Sequence, residues 1–152
     1  MVPDRIEREI LIEAPPDVVW SAITEPEHVS RWFGDATEID LRPGGEASFT
    51  WDHADGGTAH ARIESVEPPH RLVYRWMRWS REHPTGAGLD ERNSTLVEFD
   101  LTAEGDGTRL RVVESGFQRL DGDAGPYYQE NDTGWPKELG ELRDYVEGAL
   151  RR

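Results

Sequence analysis

The chain contains no cysteine, and among its 17 basic residues only Lys137 is a lysine. Without cysteine there are no disulfides, no thiolate nucleophile and no cysteine-ligated zinc, while any redox compartment stays compatible. No run of eighteen apolar residues occurs, so no membrane-spanning helix is expected. The opening stretch "MVPDRIEREI" has neither a basic n-region nor an apolar h-region, and the expectation is a soluble cytoplasmic protein. Internal repeats and low-complexity tracts are missing too. So are the short catalytic signatures. Ser115 in "ESGF" has no glycine two residues before it, and the glycines of "PGG" (43–45) and "EGDGT" (104–108) sit in hairpin turns that precede no helix. No catalytic residue, metal or cofactor is assigned.

What is present in excess is acid. Thirty-one Asp and Glu against 17 basic residues give a formal charge of -14 over 152 residues. A polyanion or an anionic membrane leaflet would meet a repulsive field, so neither nucleic acid nor membrane is an expected partner. The length suits one domain, residues 1–152, able to bury roughly two thirds of its unfolded surface.

Ile6 to Glu13 alternates as a strand with Ile6, Arg8, Ile10 and Ile12 on one side, and Pro15 and Pro16 stop it. Val19, Trp20 and Ile23 form the inward stripe of a short helix. A second helix follows, with Thr24 and Glu27 at capping-box spacing and Val29, Trp32 and Phe33 apolar before Gly34. From Thr37 the period becomes two, and antiparallel strands follow, with turns at "PGG" and "DGG" (55–57). Between Thr58 and Glu67, Ile63 and Val66 differ in parity, which predicts a bulge near Glu64. Ser80–Ser94 reads as a polar, mobile loop. Two more strands follow, and then residues 118–131 read as polar chain. The terminal helix is predicted to begin near Trp135, with Asn131, Asp132 and Thr133 as cap residues and Pro136 in its first turn. Its stripe is Trp135, Leu139, Leu142, Val146 and Ala149. An antiparallel sheet hides one face, and this helix is the one element long enough to cover it, so the class is α+β with about 6–7 strands curved around the helix.

Five segments, "IEAPPDVVWSAITEPEHVSRWF" (12–33), "RPGGEASF" (42–49), "VEPPHRLVYRW" (66–76), "GTRLRVVESGF" (107–117) and "NDTGWPKELGELRDYVEGAL" (131–150), resemble the SRPBCC superfamily of START and pollen-allergen-like domains. Within it they are similar to the bacterial branch named after the activator of the heat-shock-protein-90 ATPase. The resemblance implies a helix-grip fold in which sheet and C-terminal helix enclose a cavity for an apolar ligand. It carries no shared catalytic motif.

On the predicted inward faces or at element ends, Trp20, Trp32, Phe33, Phe49, Trp51, Tyr74, Trp76, Phe99, Phe117 and Trp135 either line such a cavity, with Leu139 and Leu142 from the helix, or fill it. His53, Arg78 and Glu114 continue the parity of apolar faces at strand ends, either meeting at the cavity mouth or standing solvated. His53 and His60 flank a turn containing Asp55, at a spacing that matches no metal signature. The expected function is binding of a small hydrophobic or amphipathic molecule. The alternatives are a protein-interaction role with a chaperone, as the resemblance implies, and lyase, cyclase or hydrolase chemistry in the cavity. Oligomeric state, monomer or homodimer, is left open.

Overall fold

The computed structural model describes residues 2–51, 57–77 and 86–150. Seven strands form one antiparallel sheet: β1 (Arg5–Ile12), β2 (Ala36–Ile39), β3 (Glu46–Thr50), β4 (Thr58–Glu67), β5 (Arg71–Met77), β6 (Thr95–Glu104) and β7 (Gly107–Ser115). Their spatial order is β1-β7-β6-β5-β4-β3-β2, a meander to which the first strand is added beside the last. Two short helices, α1 (Pro16–Thr24) and α2 (Pro26–Trp32), follow β1, and the long α3 (Gly125–Tyr145) comes after the sheet. The curved sheet and long C-terminal helix make a helix-grip α+β fold. None of the helices in the described residues is long and apolar enough to cross a membrane.

Alternation sets the layers. Along β6, Thr95, Val97, Phe99 and Leu101 are buried while Leu96, Glu98 and Asp100 are half-exposed. The outward positions carry the arginines, paired across strands: Arg71 with Glu98 and Asp100, Arg109 with Glu104, and Arg111 with Glu7. These pairs spread the basic residues over the outer face, where each contributes little. The expected bulge is present, since the β4–β5 register shifts between Ile63 and Ser65. At "PGG", Gly44 has φ +83°, where a side chain is strained, and a Cβ on Gly45 would stand 2.1 Å from the Asp40 carbonyl, where it clashes.

Three local expectations are corrected. Thr24 does not cap α2; its hydroxyl donates back to the Trp20 carbonyl at 2.7 Å, and Glu25 occupies the N-cap. Back-bonding one turn up competes with capping wherever a helix precedes. The terminal helix starts ten residues before Trp135, at Gly125, where Asp123 Oδ1 accepts the Gly125 amide at 2.9 Å and Pro126 takes the first turn. Pro136 is therefore inside the helix. A proline there leaves the carbonyl four residues back without its amide partner; that carbonyl belongs to Asp132, and Arg8 Nη2 reaches it at 3.4 Å while also pairing with the Asp132 carboxylate. Last, Ala149 is exposed, because Val146–Leu150 is a π turn whose wider pitch moves the stripe off Ala149, and it is Leu150 that packs on the core. Trp135, Leu139, Leu142 and Val146 are buried as the stripe requires.

In the stretch read as a mobile loop, residues 86–94 are held by a turn in which Asp90 Oδ1 accepts the Arg92 and Asn93 amides at 2.9 and 3.2 Å. His53, Arg78 and Asp55 lie outside the described residues.

Candidate functional site

The inner face of the sheet and the facing side of α3 hold a continuous set of rings. Phe33, just past α2, is at its centre, 5.2 Å from both Phe49 and Trp51, 5.6 Å from Trp76 and 6.0 Å from Trp135, on which it stacks at 9°. Phe49, Tyr74 and Phe99 continue the set toward the middle of the sheet, Tyr74 touching both of the others at 5.8 Å. These rings pack against one another at tilted and edge-on angles, so the space under the middle of the helix is occupied by side chains. Beside this ring set, toward the N-terminal half of α3, lies a cleft of about 230 Å³ lined by Phe33, Trp51, Trp76, Glu130, Asn131, Gly134, Trp135, Lys137 and Glu138.

Four of the predicted ring residues, Phe33, Trp51, Trp76 and Trp135, line this cleft. Phe49, Tyr74, Phe99, Leu139 and Leu142 are buried in the core behind it. Trp32 is buried between α1 and α2, its indole Nε1 donating to the Ala22 carbonyl at 2.8 Å.

Glu114 differs from the expectation of a strand end at a cavity mouth. It is 0% exposed, and both its oxygens face protein donors. Oε1 accepts Trp135 Nε1 at 2.8 Å; Oε2 accepts Trp76 Nε1 at 3.0 Å and the Thr95 hydroxyl at 2.5 Å; the Asn131 amide nitrogen reaches both oxygens, at 3.0 and 2.9 Å. Indole and amide N–H groups can only donate, so the carboxylate form is the one this donor set satisfies. Burial raises the Glu114 pKa above its ordinary value, and the hydrogen bonds from Thr95, Trp135, Trp76 and Asn131 limit the rise without cancelling it. Burial, with the Glu114 charge adding to it, also raises Tyr74 well above its ordinary value of 10.0. One buried carboxylate thus fixes three of the cleft's lining residues: Trp76, Asn131 and Trp135.

Glu138 is the opposite case. It lines the cleft, and its Oε2 is buried with no hydrogen-bond partner. Burial, then the neighbouring Glu141 charge, pushes its pKa from 4.5 to about 7, with Lys137 pulling the other way. Lys137 is exposed at the rim and forms no ion pair among the described residues.

Glu130, Asn131, Gly134, Lys137 and Glu138 are not among the predicted site residues. The signal for the helix residues was present: Asn131, Trp135 and Glu138 fall at i, i+4 and i+7, one face of a helix. A helix that starts near Trp135 leaves Asn131 off that face, whereas one from Gly125 includes it. Among the described residues, Glu25, Glu27 and His28 bring ligand-type atoms within 4.8 Å of one another, but His28 Nδ1 is already hydrogen-bonded to the Tyr145 hydroxyl at 2.7 Å.

A family model described as activator of Hsp90 ATPase homolog 1-like protein matches residues 13–147. Among proteins with curated descriptions, none matches. Among solved structures, the chain is similar to protein MLL2253 from Mesorhizobium loti, at 25% identity and a TM-score of 0.77 over 95% of this chain and 98% of that one. It is also similar to DynU16, a protein in the dynemicin biosynthetic locus, at 27% identity and a TM-score of 0.75, over 99% of this chain but only 49% of DynU16. The Aha1 dimer from Colwellia psychrerythraea shares the fold, at 19% identity and a TM-score of 0.76, over 99% of each chain.

Proposed function

The chain belongs to the activator of Hsp90 ATPase homolog 1-like family, and from that premise we propose that it binds a small apolar or amphipathic molecule in the cleft that Phe33, Trp51 and Trp76 form with α3. The observation that carries this reading is the Glu114 clamp. Burying a carboxylate costs several kcal/mol before its partners are counted, and a helix-on-sheet core needs no such group. What the clamp does is hold two indoles and an amide in one orientation on the wall of the cleft, and a wall ordered in advance lowers the entropy lost on binding. Glu114 itself has both oxygens engaged by the protein, which fits a structural role and not one in proton transfer to a ligand. The similarity to a protein of a biosynthetic locus supports a domain that handles small molecules.

The test is binding of a neutral apolar fluorophore such as N-phenylnaphthylamine. It should quench tryptophan emission and raise the melting temperature by mass action. Trp76→Ala should weaken binding about tenfold through loss of a ring wall, whereas Trp20→Ala, in α1, should lower stability with little effect on affinity. A folded chain that binds no neutral probe would overturn the reading.

The family's name favours one alternative, contact with an Hsp90-type chaperone. Stimulation of an Hsp90-type ATPase by the purified chain, undiminished in Trp76→Ala, would put that reading first.

A further inference from the structure

The polar chemistry of the cleft is one-sided. Its apolar wall consists of Phe33, Trp51, Trp76 and Trp135, and its charged lining consists of Glu130, Glu138 and Lys137. The lysine is exposed, where solvent screens it, while Glu138 is half-buried and keeps one buried oxygen without a hydrogen-bond partner. A buried carboxylate oxygen left unpaired is costly, and a donor brought by a ligand would remove that cost.

The indoles point the same way by independent chemistry. Trp76 and Trp135 each donate their N–H to the Glu114 carboxylate, at 3.0 and 2.8 Å. Hydrogen bonding to an anion pushes electron density into the donor's ring, so both faces become more negative than those of a free indole. Negative ring faces attract cations, and tryptophan is the strongest such acceptor among the side chains. The clamp that orders the wall therefore also tunes it.

We propose that the cleft takes an organic cation: a ligand with a planar or aliphatic body packed against Trp76, Trp135, Phe33 and Trp51, and a protonated amine held by Glu138. This rests on the ligand-binding reading above. It adds the charge and the anchoring residue. The long-range field agrees, since a chain of net charge -14 raises the local concentration of cations.

Three probes of one shape separate the possibilities: naphthylmethylammonium, naphthylmethanol and naphthoate, titrated into the full chain by tryptophan quenching at a pH of about 8. The ammonium should bind about tenfold tighter than the alcohol, and the naphthoate more weakly than either. Glu138→Gln should bring the ammonium close to the alcohol, with a much smaller loss for the alcohol than for the ammonium. Asp106→Asn, in the exposed β6–β7 turn, removes the same formal charge and should leave the ratio as it is. Equal binding of ammonium and alcohol, or an equal drop in both variants, overturns the cation assignment while the apolar cleft stands. Binding of none of the three by folded protein overturns both. Glu138→Ala, checked for a native circular-dichroism spectrum and a single cooperative melting transition, repeats the test should the glutamine substitute as an acceptor, and an ammonium preference that survives it also overturns the assignment.

Discussion

Glu114 and Glu138 are two carboxylates next to the same pair of indoles, and the protein treats them in opposite ways. Glu114 comes from the end of β7, is fully buried, and meets donors from β5, β6 and α3. Glu138 comes from α3, one turn beyond Trp135, and its buried oxygen meets none. A buried acid surrounded by donors acts as a strut, because its charge is balanced within the fold. A partly buried acid whose buried oxygen has no donor keeps that oxygen available to whatever enters from outside. The strut behind the cleft wall and the unpaired acid in its lining are thus one residue type, and the difference lies in burial and in the neighbours supplied.

The comparison can be broken most directly at the strut. Glu114→Leu removes the acceptor but leaves two indole N–H groups, a hydroxyl and an amide facing hydrocarbon, and should cost about 3–5 kcal/mol in chemical unfolding. Glu114→Gln keeps the shape while turning an N–H₂ toward donors, and should cost less, about 1–3 kcal/mol. A leucine variant as stable as the parent would show that the donors are satisfied some other way.

Glu138→Gln should do the reverse, and its sign follows from the titration. The folded-state pKa, about 7, lies above the ordinary 4.5, so the folded chain holds a proton that the unfolded chain has lost. Stability in the parent should fall as pH rises from about 4.5 to 7 and stay lowered above that. The glutamine variant escapes this penalty, so at a pH of about 8 it should be more stable than the parent by on the order of 1 kcal/mol after allowance for solvent screening. Near a pH of about 4 the two should coincide. A gain that is the same at both ends would mean that Glu138 titrates normally.

The smallest effect is expected where α3 carries Pro136. Arg8 pairs with the Asp132 carboxylate and reaches its carbonyl, with both side chains about one third exposed, at 35% and 33%. Arg8→Ala should cost about 0.5–1 kcal/mol and increase amide exchange in the turn around Asp132 relative to the Leu142 turn. Unchanged exchange there would show that the helix carries its proline without help from β1.

Much of this organisation was legible beforehand. Period-two alternation gave the strands, the parity break at Ile63 and Val66 gave the bulge, and the stripe from Trp135 to Val146 gave the buried side of α3. Even Glu114 was placed on the inward parity. Its surroundings were not legible, since its donors lie 17 to 38 residues away along the chain and meet it only when β5, β6 and α3 converge. Asn131 was read as a cap because its residue type suits one equally well. Pro136 was read as a helix start because the arginine that serves the freed carbonyl is 124 residues away from Asp132.

The sequence by itself determined the alternating faces, the turns that only glycine can make and the apolar stripe of the last helix, because each depends on neighbours within a few residues. Tertiary structure decided which inward group would be a strut and which an unpaired acid, and where the rings would close together and where they would leave a cleft. The fate of a buried carboxylate is set by the donors that reach it, and those arrive from distant parts of the chain.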